Sequence, residues 1–282
     1  MPAKTLPHRR LLGSFAGILL SLVIVAPVMA AEPRAASAAL STVQDVLLQG
    51  RGLGIDGAPP VTEGPTARQG IDVSHWQGGI NWTRVANYGI DFAIAKATQG
   101  TWMVDQYYPR NAHRARNHGI RFTAYHFAQP GRRPYSAVRQ ADFFLSRAKL
   151  GPTDLVPALD MERSGGLSQT ALRAWVLTWL HRVYMKLGVK AMVYSNPSFW
   201  SSAMGNTSAV ARAGYEVLWV AHWDTMRPTV PAQGWDGNGW TVWQWTKCGH
   251  IPGIYTCVDR DAITGIRLKN LTIGYMRANP PQ

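Results

Sequence analysis

Two acidic residues one position apart, Asp160 and Glu162, end the apolar run Leu155-Val-Pro-Ala-Leu-Asp-Met-Glu162. In a β-strand, residues i and i+2 share a face. Their Cα atoms then lie roughly 6.6 Å apart, twice the ~3.3 Å rise per residue. Two carboxyls that close resist being ionised together, so one holds its proton while the other stays charged. That division of labour is what glycoside hydrolysis needs, a carboxylic acid to donate and a carboxylate to attack or stabilise. A bare D-x-E also arises by chance as two exposed acids at a strand end. The surrounding chain decides between these readings.

Other polar residues recur where short β-prone runs end. Asp72, Ser74 and His75 close Gly70–His75, and Lys96 lies in Asp91–Ala97. Tyr125 and His126 lie in Arg121–Phe127, and Tyr194 and Asn196 follow Lys190–Tyr194. His222 and Trp223 follow Glu216–Ala221, Gln244 and Trp245 end Trp240–Trp245, and Asp259 lies in Val258–Ile263. Between the first four of these runs and Leu155–Asp160 stand helical patterns over Ile80–Tyr88, Tyr107–His118, Tyr135–Leu150 and Ser168–Leu187. Gly119 and Gly188 serve as C-terminal stops and Ser168 as an N-cap. Alternating strand and helix predicts a parallel sheet. About eight strands, with less helix between the later ones, predict an α/β fold, a modified TIM-like β/α barrel irregular in its second half. The rival is an open doubly wound sheet, but no G-x-G-x-x-G or P-loop follows the first strand. In a barrel, the strand ends form one rim, where active sites lie.

The chain has 282 residues, is 46% hydrophobic and contains 12 Trp and 10 Tyr, enough for one large core. Residues 1–30 read as an export signal, with basic Lys4, Arg9 and Arg10, an apolar stretch to Val28, and small residues before a cut after Ala30. An uncleaved anchor is the alternative; after cleavage no segment is long and apolar enough for a membrane. Residues 31–68 read as a flexible lead-in, 69–275 as the catalytic barrel and 276–282 as a tail. The formal net charge is +13, and loss of the signal leaves +10. Such a cation favours polyanions, including the acidic polymers of a bacterial wall; no nucleic-acid motif is present. In an oxidising compartment, Cys248 and Cys257 are expected to form a disulfide. No H-x-x-H or H-E-x-x-H spacing points to a metal, and no cofactor motif occurs.

Six ordered blocks carry a family resemblance: Gly70-Ile-Asp-Val-Ser-His-Trp-Gln-Gly78, Phe92-Ala-Ile-Ala-Lys-Ala-Thr-Gln-Gly100, Ala124-Tyr-His-Phe-Ala128, Ala158-Leu-Asp-Met-Glu162, Leu218-Trp-Val-Ala-His-Trp223 and Val242-Trp-Gln-Trp245. Together they resemble the family 25 glycoside hydrolases, the Chalaropsis-type lysozymes. The resemblance implies a secreted N-acetylmuramidase on a modified β/α barrel, cutting bacterial peptidoglycan between N-acetylmuramic acid and N-acetylglucosamine without a cofactor. It makes Glu162 the proton donor, Asp160 the nucleophile or stabiliser, and Asp72 and Asp259 further acids of the groove, with Asp261 the alternative to Asp259. Burial beside apolar strand residues is expected to raise the Glu162 carboxyl. Tyr125, Trp223, Trp245, Gln244 and His75 are the candidate substrate contacts. Direct attack, participation of the substrate's N-acetyl group, and inversion through water all remain open. A non-catalytic wall-binding barrel is the alternative function. A chitinase is disfavoured, because the D-x-x-D-x-D-x-E run lacks its first two acids here.

Overall fold

A computed structural model describes residues 67–280. The expected export signal and most of the lead-in lie outside the described residues.

The strands are β1 (Arg68–Val73), β2 (Phe92–Gln99), β3 (Met103–Val104), β4 (Arg121–Phe127), β5 (Ala158–Asp160), β6 (Met192–Ser195), β7 (Leu218–Ala221), β8 (Val242–Gly249) and β9 (Val258–Ile263). β1 pairs with both β2 and β9, so the sheet closes into an eight-stranded barrel with β3 as a hairpin appended to β2. β1, β2 and β4 to β8 run parallel around it. β9 is antiparallel to both its neighbours. The Cys248–Cys257 disulfide closes the β8–β9 connection, and so short a connection can join only antiparallel strands.

The helices are α1 (Trp82–Asn87), α2 (Tyr108–Asn117), α3 (Ser136–Ala148), α4 (Gln169–Leu187), α5 (Pro197–Met204), α6 (Ala209–Arg212) and α7 (Ile273–Ala278). Ser168 caps α4 by accepting from the Ala171 N–H, and Gly188 ends it in the left-handed region. The second half is irregular, as its thin helical patterning predicts. Between β7 and β8 stands a left-handed turn, Pro231–Asp236, with positive φ at Ala232, Gln233 and Trp235. Left-handed backbone costs a side-chain-bearing residue about 1–2 kcal/mol. Burial of Trp235 holds the turn: its indole lies on Trp200 with ring centroids 4.8 Å apart, and its Nε1 donates to the Tyr215 carbonyl at 2.9 Å. α7 carries ordered chain to Ala278, into the span expected to be a tail, and Arg277 Nε ties it to the Leu187 carbonyl at 2.6 Å.

Alternation along the strands builds two apolar layers. Ile71, Val73, Ala93, Ala95, Ala97, Leu159, Val193 and Val220 pack outward against helix residues such as Ala112, Ala115, Phe144 and Trp179. Phe92, Ile94, Tyr125, Ala158, Met192, Tyr194, Trp219 and Val242 fill the barrel. Gly70 is required here: a Cβ on it would lie 2.2 Å from a ring carbon of Phe92. That close passage lets the aromatic ring plug the interior below Asp72.

Candidate active site

The same alternation sends acids into the barrel mouth. Asp72 is directly opposite Asp259 in the β1–β9 ladder, and Gln244 is opposite Asp261 in the β8–β9 ladder. Because β9 runs backwards, Asp259 near its start shares the rim with the C-terminal ends of the parallel strands. Asp160, the last residue of β5, is buried, as are Asp72 and the fully enclosed Asp261. Both Asp259 and Asp261 therefore belong to the cluster, one at its edge and one beneath it.

Glu162 stands two residues beyond β5 and is exposed, while Met161 between them is buried outward. This corrects the expectation that Glu162 is the desolvated acid: burial falls on Asp160 instead. Burial, and then the charge of Glu162, push the Asp160 carboxyl well above the usual carboxylate range, and Lys96 opposes them. Asp160 Oδ1 is buried with no hydrogen-bond partner among the described residues. Burial also raises Asp72, reinforced by Asp259 and Asp261 and opposed by a hydrogen bond from Gln244. Asp259 is raised to about 7 by burial and the Glu162 charge. Burial raises Asp261 most, against the hydrogen bond that Trp219 Nε1 donates to its Oδ1 at 2.8 Å.

Gln244 organises the opposite wall. Its Nε2 donates to Asp72 Oδ2 at 2.7 Å, and its Oε1 accepts from Tyr194 OH at 3.1 Å and Trp223 Nε1 at 3.0 Å. Trp223 is thereby fixed edge-on with about a third of its surface open, and the Lys247 ammonium lies over its ring at 5.2 Å. Tyr125 is buried among these acids, edge to Trp219 at 6.1 Å. His75 Nδ1 meets the buried Asp105 Oδ2 at 3.0 Å, and its backbone N–H donates to the same oxygen at 2.7 Å. His75 thus ties the end of β1 to the β2–β3 hairpin and supports the exposed Trp76, whose ring it touches.

Trp245 departs from expectation. It belongs to the outer layer, is 8% exposed, and stacks under the Arg260 guanidinium at 4.8 Å, so it presents no face to the mouth. Its neighbour Gln244 already occupies the inward position, and adjacent strand residues face opposite sides.

Lys96 was placed on the second strand by the sequence but given no role. It is buried, with Nζ donating to Gln99 Oε1 at 2.8 Å and lying 4.7 Å from the Phe127 ring centroid. It is the cation felt by Asp160. Its signal was its type: a lysine inside an otherwise apolar strand requires acids nearby. A barrel mouth with one solvent-facing carboxyl, a ring of buried ones and a buried ammonium suits acid-assisted cleavage of a polar bond.

The profile of the Glycosyl hydrolases family 25 matches residues 71–254. The chain belongs to glycosyl hydrolase family 25. Among its family 25 relatives, Lysozyme M1 of Streptomyces globisporus is 35% identical, the match covering 97% of this chain and 98% of that one. An N,O-diacetylmuramidase of Chalaropsis is 33% identical over 62% of this chain and 86% of its own. The crystal structure of a bacterial lysozyme from Streptomyces coelicolor superposes with a TM-score of 0.67 at 33% identity, covering 75% of this chain and all of that one. As a member of family 25 the protein is a glycoside hydrolase built on a distorted TIM-like barrel.

Proposed function

We propose that this family 25 enzyme is an exported N-acetylmuramidase. It hydrolyses the β-1,4 bond between N-acetylmuramic acid and N-acetylglucosamine in bacterial peptidoglycan. The observation carrying this reading is the asymmetry of the D-x-E pair, with Asp160 buried beside Lys96 and Glu162 open to the mouth. Glu162 donates its proton to the glycosidic oxygen as the bond to the anomeric carbon breaks. Asp160 supports or attacks the positive anomeric carbon, and water supplies the new hydroxyl. Burial and the charge of Glu162 raise the Asp160 carboxyl, and the Lys96 ammonium opposes that rise, favouring the ionised form that the reaction needs. Asp72 and Asp259 line the mouth beside the pair, and whichever of them is ionised favours an oxocarbenium-like transition state. Trp223, Tyr125, Gln244 and His75 form the wall against which the sugar lies. The names of the relatives, lysozymes and a diacetylmuramidase, support this substrate.

Glu162→Gln is expected to lose roughly 10²–10⁴-fold in kcat on peptidoglycan, the usual worth of a general acid. On an aryl glycoside whose leaving group needs no protonation, the same variant keeps most of its rate. Asp160→Asn loses activity on both substrates. Borohydride reduction of the new ends identifies the terminal sugar. Equal losses for Glu162→Gln on both substrates, or N-acetylglucosamine as the reducing end, would overturn these roles or this bond.

A further inference from the structure

A cavity of about 810 Å³ lies between the β2–β3 hairpin and the β4–α3 loop, past the C-terminal ends of β2 and β4. Trp102, Arg132, Arg133 and Arg139 line it, with Gln129 and Gln140 among its polar walls. No acidic residue lines it. Arg133 and Arg139 are exposed and have no acidic partner among the described residues. Trp102 is 67% exposed and its ring lies against Gly100, where a Cβ would sit 2.1 Å from a ring carbon. A large aromatic face left open beside unpaired guanidinium groups is a surface prepared for a ligand that is both acidic and partly apolar.

The floor of the cavity is rigid. Gln140 Nε2 donates to the Gln129 carbonyl at 2.6 Å, and its Oε1 accepts from the Gln129 N–H at 3.0 Å. That orientation obliges His126 Nε2, 3.0 Å from Gln140 Oε1, to donate, so His126 Nδ1 accepts from Thr98 Oγ1 at 2.8 Å. Burial lowers His126 to about 4, which keeps it neutral and this arrangement intact. The cavity is also joined to the catalytic loop. Arg132 Nη2 donates to the Gly166 carbonyl at 3.2 Å, and Gly165 passes so close to Pro130 that a Cβ has no room. Gly166 is four residues from Glu162, so their Cα atoms are at most about 14 Å apart.

In peptidoglycan the muramic acid carries a short acidic peptide on its lactyl group. An extended stem of about five residues reaches roughly 17 Å from the sugar that carries it, and the loop bearing these arginines is tied to the loop of Glu162 through Arg132 and Gly166. We propose that this cavity is a subsite for the peptide stem, with Arg133 and Arg139 holding its carboxylates and Trp102 its apolar side chains. The proposal rests on the muramidase reading above and adds to it a preference for stem-bearing glycan.

The test measures kcat/KM on intact peptidoglycan and on glycan strands stripped of stems by an amidase, and takes the ratio. For Arg133→Glu/Arg139→Glu the ratio is expected to fall about tenfold or more from the parent value. Arg133→Lys/Arg139→Lys is expected to restore most of it, which a folding defect would not allow. Walls from which phosphate polymers have been extracted run in parallel. A ratio unchanged by charge reversal, or a loss equal on both substrates, overturns the subsite. So does a loss that disappears on phosphate-free walls, which would mark the cavity as a binder of wall phosphate. If the parent protein cuts neither substrate, the muramidase reading falls first and the stem subsite falls with it.

Discussion

Asp259 offers a quantitative handle on the acidic mouth. Burial and the charge of Glu162 raise its carboxyl from 3.8 to about 7. In the unfolded chain the proton leaves near the ordinary value, while the folded protein keeps it until about pH 7. Between these limits the unfolded state binds fewer protons, so raising the pH favours unfolding. The stability is fully present below about pH 4 and declines until the folded carboxyl has ionised. A displacement of about three pH units at 1.36 kcal/mol each sets a ceiling of about 4 kcal/mol. Asp259 is only partly buried, so solvent screening brings the expected share to about half of that. For a domain of this size 1 kcal/mol moves Tm by about 2–4 °C. Asp72, Asp160 and Asp261 are displaced in the same direction. The parent is therefore expected to melt progressively lower from pH 4 to pH 8. Asp259→Asn, neutral throughout, is expected to match the parent at pH 4 and to melt roughly 4–8 °C higher at pH 8. Thermal melts by circular dichroism across that range decide it. A parent Tm that rises with pH, or parallel curves for parent and variant, would refute the reasoning.

Lys96 is the cation that opposes the upward displacement of Asp160. Lys96→Met is expected to move the acidic limb of the kcat/KM profile upward by about one to three pH units, the usual effect of an adjacent opposite charge; an unmoved limb would remove Lys96 from the site. Gly70→Ala forces a Cβ into the Phe92 ring, and overpacking of that kind costs about 1–3 kcal/mol. Its Tm is expected to drop by several degrees, and Gly70→Ala/Phe92→Leu to recover part of the loss in calorimetry. A Gly70→Ala protein as stable as the parent would mean that the ring moves aside freely.

Much of this site could be read from residue alternation, and the parts that could not were set by chain direction and depth. The runs carrying Asp72, Tyr125, Asp160 and Gln244 became barrel strands because their period-2 pattern has one possible placement: apolar outward against helices, polar inward at the mouth. The same rule excludes Trp245 once Gln244 is inside, so that misplacement contradicted information already present in the sequence. Asp259 was legible as an acid of the groove, but its place at the start of an antiparallel strand follows only from the short β8–β9 connection. The relative depth of Asp160 and Glu162 had no sequence signal. Both follow an apolar run, and only the end of β5 at Asp160 leaves one inside the barrel and the next on the open loop. The cavity lined by Trp102 and the arginines combines a hairpin and a loop distant in sequence, brought together by the β2–β4 pairing.

The buried acids are a standing cost that the barrel carries for chemistry. Each of Asp72, Asp160 and Asp261 would be better solvated elsewhere, and burial raises all three. The strands that hold them meet at the barrel closure, where β1 joins β9, and at β5 across from it. Beneath them the interior is filled by Phe92, Met192, Trp219 and Val242, and the outer layer by a continuous set of Ala, Val and Trp side chains. Apolar burial on both faces of one sheet supplies the stability against which the mouth can hold buried acids. The consequence is directional: changes that neutralise the mouth should stabilise the fold while removing catalysis, and changes that open the layer beneath it should destabilise the fold.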